Sequence, residues 1–390
     1  MTRRHWWLGV THGVAWKLAS LAAKAGFLFV LAPALAPGEF AAYVFYSTVA
    51  LVLGRFAACG VSDQLVLEVR GGADAARRFH PVHRRLFVAA LVLFGLGLAW
   101  DSPWARSLAL AGILVAGALL EGVVRSVWPA RYEQLTNGPP ILFFLLVVLS
   151  PARRAVDLLA MYGAAMLAFQ AWLAVRSGFW SARGAVPGIG LAELAGLCRR
   201  GFAKMVAEMT LLLNMRGLIL WPKVLGGGLA SDSVSLALAI GEAASTLPMV
   251  VVNRNFARYA SVGAKARRAL GWALLVIVGM GLAGLAALAG WALVPERIAA
   301  RLEATDLAWA LLLYGAVTAY YDLRYLAWSR APGTGRFTAW QLGFFLLQGL
   351  IVASLAQTAT IAAVALAATL LVLGWIGWGY LRGSPPPGRI

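Results

Sequence analysis

Charge is scarce in this 390-residue chain, at 13% of residues, about half the share usual in soluble domains. Acids are scarcer still, 16 against 34 Lys and Arg. The two cysteines, Cys59 and Cys198, give neither a disulfide framework nor a metal spacing and read as ordinary small residues. Of the four histidines, His80 and His83 are three apart in a basic loop with no acidic cluster beside them, so no metal site and no cofactor are expected. The longest loop on the less basic side, near Pro295 to Asp306, has no histidine. That leaves little for the acid-base chemistry of a membrane-embedded polymerase or glycosyltransferase, so no catalytic residues are assigned.

What the chain has instead is apolar surface. With glycine counted and tyrosine left out, roughly 69% of it is apolar, against about 45–50% in soluble domains. Mean hydropathy is +0.77. Too few polar residues remain to cover a soluble exterior, so the chain is read as an integral membrane protein. Runs such as Leu270 to Val294 are apolar on every face, as membrane helices are and the alternating strands of a barrel are not.

Apolar runs between Gly, Pro and charged punctuation predict twelve spans, at 13–34, 41–66, 86–104, 107–128, 136–150, 157–176, 202–224, 232–252, 269–294, 306–328, 337–356 and 358–381. The fifth is the weakest, short and opened by Pro139 and Pro140. The stretch after Arg3 and Arg4 carries Lys17 and Lys24 and is read as a retained first helix. With both termini on the cytoplasmic side, 23 basic residues fall on inner segments, six on outer loops and five within spans. This asymmetry accounts for most of the +18 net charge as membrane topology and excludes nucleic acid as a partner.

Segment 177–200, rich in glycine, divides the spans six and six, giving an N-terminal lobe over 1–177, a cytoplasmic linker over 178–200 and a C-terminal lobe over 201–390. Each half opens with a span bearing a mid-helix cation, then a Gly-rich turn, a second span and an Arg-rich loop. Lys24 answers Arg216, and Pro37-Gly38 answers Gly226-Gly227-Gly228. Six is even, so the expected relation is a pseudo-twofold along the membrane normal, as in transporters built from parallel repeats.

The run Leu31-Ala-Pro-Ala-Leu-Ala-Pro-Gly-Glu-Phe-Ala-Ala-Tyr43, followed by a span closing on Cys59-Gly-Val-Ser-Asp63, resembles the opening of Wzx-type polysaccharide flippases of the multidrug/oligosaccharidyl-lipid/polysaccharide (MOP) exporter superfamily. The segment Leu119-Leu-Glu-Gly-Val-Val-Arg-Ser-Val-Trp-Pro-Ala-Arg-Tyr132, with Asn137 beyond it, is similar to that family's fourth-to-fifth helix passage. Ala41 departs from the pattern, which usually has glycine there. The resemblance implies an all-α fold of two six-helix lobes around a central cavity. It implies movement of polyprenyl-diphosphate-linked oligosaccharide across the bacterial inner membrane, with membrane lipid and the polysaccharide polymerase machinery as partners.

Ionisable residues within spans are the candidate site. Gly13, Lys17, Ser20 and Lys24 form one polar stripe, with Lys17 near the end of its span, where its stem can snorkel. Lys24, Arg55 and Arg216, with Lys17, are the candidates for a diphosphate, which Arg grips bidentately and Lys meets as a point charge. For Arg55 and Arg216 the structural alternative is a salt bridge, with Glu208 or Glu242 as partner. Glu208, Glu242 and Asp322 are candidates for ion coupling or an inter-lobe bridge, and Tyr43, Tyr46, Tyr314, Tyr320 and Tyr321 for stacking on sugars. The rival readings are a membrane enzyme and a cation-coupled drug exporter of the same superfamily; the latter calls for an anionic pocket.

Overall fold

The structure, a computed structural model, describes residues 3–68, 77–150, 153–180, 188–226, 228–262, 266–330, 335–355 and 357–381. Arg70, Arg183, Gly227, Lys265, Arg382 and Arg389 lie outside them, as do the side chains of Arg3, Arg4, Lys204 and the basic residues within 251–268 and 324–336.

The described chain is helical throughout, without a strand. Its helices are α1 (Arg3–Gly26), α2 (Glu39–Ala57), α3 (Val61–Glu68), α4 (His80–Ala99), α5 (Pro103–Val127), α6 (Pro129–Leu149) and α7 (Ala155–Arg176). They continue as α8 (Leu191–Val224), α9 (Asp232–Val262), α10 (Ala266–Ala289), the short α11 (Glu296–Ala299), α12 (Ala304–Arg330), α13 (Gly335–Ser354) and α14 (Gln357–Leu381). With α2 and α3 counted together and α11 set aside, each of the twelve expected spans has its helix.

Proline starts several of these helices, because the first turn has no acceptor for its amide anyway: Pro103 opens α5, Pro129 opens α6 and Pro81 stands in the first turn of α4. The fifth span is thus longer than expected. It begins at Pro129 and carries Pro139 and Pro140 in its interior.

Among the described residues, seven helices are long and apolar enough to cross a membrane, by length and composition. Those below that mark include α6, α8, α9 and α12, which bring Glu133, Glu208, Arg216, Glu242 and Asp322 into otherwise apolar helices. The apolar helices instead expose their large side chains: Val88, Leu91, Val92 and Leu96 on α4, and Leu275, Val278, Leu282 and Leu285 on α10. Such belts are unfavourable in water and natural against lipid.

The chain forms two compact units, one of residues 1–31 and 42–209, the other of 32–41 and 210–390. The first is cored by Leu65, Leu119, Leu120, Val123, Leu173 and Leu197, all nearly solvent-free. Small residues let its helices close. A Cβ on Gly122 of α5 would lie 2.5 Å from the Ser62 carbonyl oxygen and 2.8 Å from Leu65 Cβ, whereas one on Gly95 of α4 would meet nothing within 4 Å. Gly122→Ala is therefore expected to cost about 1–3 kcal/mol of stability through overpacking. The check is a lowered thermal unfolding midpoint in detergent, with Gly95→Ala unchanged or slightly raised.

In the second unit, α8 and α13 are zipped by buried amides. Thr210 Oγ1 donates to Gln341 Oε1 at 2.8 Å, Asn214 Nδ2 to the Gln341 carbonyl at 2.8 Å, and Gln348 Nε2 to the Asn214 carbonyl at 3.0 Å. Trp221 Nε1 adds a bond to the Phe345 carbonyl at 3.0 Å. Interhelical bonds of this kind hold helices together where no hydrophobic force acts between them.

The second unit also takes in the turn at 32–41. Asp232, in the first turn of α9, accepts from the Gly38 amide at 2.7 Å and the Ala41 amide at 3.0 Å. These are amides at the start of α2 that the helix itself leaves unsatisfied. Arg301 holds Asp232 at 3.2 Å and donates to the Leu35 carbonyl at 2.8 Å. Gly38, at φ 82°, takes a conformation that suits glycine.

Candidate functional site

Each of the charged spans places its ionisable side chains by helical spacing. Lys17 and Lys24 are two turns apart on one face of α1. Lys17 Nζ is 3.0 Å from Glu133 Oε1 on α6. Asn137, one turn further along α6, donates Nδ2 to Glu133 Oε2 at 3.0 Å, fixing the carboxylate from the other side. Lys24 is exposed and has no ion-pair partner among the described residues.

Arg55, in the last turn of α2, faces Glu208 of α8, with Nη1 3.9 Å from Oε2 and side chains 49% and 37% exposed. Nearby, Tyr132 of α6 lies between two charges of α5. Its hydroxyl donates to Glu121 Oε1 at 3.3 Å, and the Arg125 guanidinium lies 5.7 Å from its ring centre. The Arg55 charge also reaches Tyr132 electrostatically. All of these residues are in the first unit.

Arg216 belongs to the second unit, where its Nη2 meets Glu242 Oε2 of α9; the arginine is 15% exposed and the carboxylate 39%. A cation this deep in an apolar helix requires such a partner, since its desolvation alone is strongly unfavourable. Glu242 therefore has a partner inside its own unit, and Glu208 has one in the first unit, Arg55.

The candidate cations are thus not all bare: Lys17 and Arg55 in the first unit and Arg216 in the second each stand against a carboxylate, and Lys24 has none among the described residues. Outside the spans, Arg154 before α7 bonds to Asp157 and Asp101, and those bonds, Asp157 first, raise its pKa.

The remaining candidates are placed as follows. Asp322 is fully buried in α12. Tyr314 is 1% exposed, with its hydroxyl donating to the Met215 carbonyl at 3.4 Å. Tyr43 stacks on Phe143 with ring centres 5.8 Å apart, and Tyr46 meets Trp104 edge-on at 5.1 Å. Tyr320 lines a narrow apolar cavity of about 50 Å³ with Asn214, Gln341, Trp340 and Trp375. Tyr321 is half-buried.

Two residues here were not among the expected site residues, Glu133 and Tyr132. Both precede position 136, where the fifth span was expected to begin. The missed signal is Pro129, a first-turn proline after Trp128 that moves the start of α6 back by two turns and brings Glu133 onto one face with Asn137.

No family model matches the chain, and no curated protein does. Among solved structures the chain is similar to an inward-facing multidrug resistance MATE family transporter of the MOP superfamily, at 17% identity and a TM-score of 0.54, over 94% of this chain and 98% of that one. It is similar to an outward-facing MATE transporter of the same superfamily, at 14% identity and a TM-score of 0.51, over 95% of both chains. A MATE structure in complex with MaL6 gives 15% identity and a TM-score of 0.52, also over 95% of both. The helix order, the absence of strands from the described residues and this near full-length correspondence together give the chain the fold of the MATE transporters of the MOP superfamily.

Proposed function

We propose that this chain is a MOP-superfamily transporter of the flippase type. It carries polyprenyl-diphosphate-linked oligosaccharide from the inner to the outer leaflet of the bacterial inner membrane by alternating access of two lobes, with both termini cytoplasmic. The solved structures of similar fold include inward- and outward-facing states of transporters, which supports alternating access. The observation that carries the anionic cargo is the polar face of α1, where Lys24 is exposed and uncompensated and Lys17 lies two turns away.

The carboxylates fit this reading as resting partners. Half-exposed ion pairs are worth little, about 0–1 kcal/mol, so Arg55 at 3.9 Å from Glu208 exchanges partners at small cost. A diphosphate offers more negative charge and bidentate oxygens to the same guanidinium. The carboxylates keep the empty site near neutrality in a medium where bare charge is unfavourable. The diphosphate then displaces them, the saccharide follows through water and the polyprenyl tail stays in lipid.

The test is a proteoliposome assay with a fluorescent polyprenyl-diphosphate oligosaccharide in one leaflet. Protein-dependent loss of accessibility to an added sugar-modifying enzyme is the expected result. Equal movement in protein-free vesicles, or movement of a cationic dye with none of the lipid-linked sugar, overturns the proposal; the latter result selects the drug-exporter reading.

A further inference from the structure

The chain's two cysteines, far apart in sequence, meet in the first unit. Between the ends of α2 and α3 the chain turns sharply, with Cys59 at φ 49° and Gly60 at φ 68°. This corner rests on α8 backbone to backbone. A Cβ on Gly60 would lie 2.6 Å from the Gly201 carbonyl oxygen, and one on Gly201 would strike the Cys59 carbonyl oxygen. Gln64 Nε2, on α3, adds a hydrogen bond to the Arg200 carbonyl at 3.3 Å. Cys198 lies one turn before Gly201; burial first, and the nearby Cys59 thiol after it, raise the Cys198 pKa, while the Cys59 thiol donates to the Phe56 carbonyl at 3.4 Å. Both cysteines are free thiols and half-buried, within reach of a small oxidant.

We propose that Cys59 and Cys198 form an oxidation-sensitive pair that closes into an intrachain disulfide when the protein meets a hydroperoxide. The thiolate of Cys59 attacks the peroxide O–O bond and takes one oxygen as a sulfenic acid, while the other oxygen leaves as hydroxide and is protonated to water; Cys198, whose pKa burial raises, is the second thiol. The second thiol then attacks the sulfenic sulfur, forming the S–S bond and releasing the second water. Two thiols and one hydrogen peroxide thus give one disulfide and two waters. The tight backbone crossing already holds the two chain segments close, which a disulfide requires.

The disulfide would bear on the charged pair beside it. Arg55 precedes Cys59 by one helical turn, and Glu208 follows Gly201 by two turns on the same face of α8. Fixing the corner on α8 holds Arg55 opposite Glu208 and restrains the partner exchange described above. This consequence rests on the proposed function; the disulfide itself does not.

The experiment treats the full-length protein in lipid nanodiscs with hydrogen peroxide. Maleimide-reactive thiols are expected to fall from two to none. The intact mass should drop by two hydrogens, and a peptide linking Cys59 to Cys198 should appear and vanish with dithiothreitol. Cys198→Ser should stop at a sulfenic acid trapped by dimedone, and Cys59→Ser should keep its thiol. The oxidised wild type should unfold at a higher temperature than the reduced protein, and neither serine variant should gain from oxidation. Two thiols that stay alkylatable, oxidation of each to a sulfinic acid, or linkage only between two chains would overturn the pair. If the disulfide forms and the lipid-linked sugar moves equally well in both redox states, the pair stands and its effect on transport falls.

Discussion

Glu242→Ala is expected to destabilise the protein more than any other single change at the site. It takes the Glu242 carboxylate away from the Arg216 guanidinium, 15% exposed, in the middle of α8. Removing one member of a buried pair costs about 3–5 kcal/mol, and because the carboxylate is 39% exposed the lower end applies here. The measurements are yield of folded protein and thermal unfolding midpoint in detergent. The diagnostic comparison is the double variant Arg216→Met, Glu242→Met, which replaces both charges with apolar chains of similar length. It should recover most of the lost stability, because pairs of this kind are often replaced without loss. A double variant as unstable as the sum of its parts would show that the two residues do not act as a pair.

Lys24→Glu is expected to produce the largest loss of transport with an intact fold. Lys24 is exposed and holds no carboxylate, so its substitution breaks no ion pair. A charge-assisted hydrogen bond contributes about 1.5–3 kcal/mol, which corresponds to a roughly 10- to 150-fold slower transfer of the diphosphate. Reversing the charge should reach the upper end of that range, Lys24→Ala the lower, and Lys24→Arg should retain most of the rate. The flipping assay reads the rate, and the unfolding midpoint, unchanged across the series, excludes misfolding. Wild-type transport by Lys24→Glu would remove this residue from the site and with it the main support for an anionic cargo.

The spans were legible because lipid imposes a simple rule: about 20 apolar residues, all backbone groups satisfied within the segment. The intramembrane charges were legible for the same reason, as exceptions to that rule. Their pairing was legible in part. Glu208 and Glu242 stood as the two salt-bridge partners for Arg55 and Arg216, but which takes which is decided by helix packing, and nothing in the spacing of Lys17 names Glu133. Pro139 and Pro140 obscured α6 because interior prolines normally break helices, yet this helix runs through them from Pro129. The membership of 32–41 in the second unit was equally hidden. It rests on contacts with distant residues: Arg301 donating to the Leu35 carbonyl and Asp232 accepting from the Gly38 and Ala41 amides.

That last contact also constrains how the chain is made. The Gly38 amide waits for an acceptor 194 residues downstream. The amino end of α2 therefore lacks these acceptors while the first seven spans are synthesised, and it gains them only when Asp232 emerges. Arg301, which holds both Asp232 and the Leu35 carbonyl, arrives later still. The second helix, among the first to be made, is thus completed by residues from the second half of the chain.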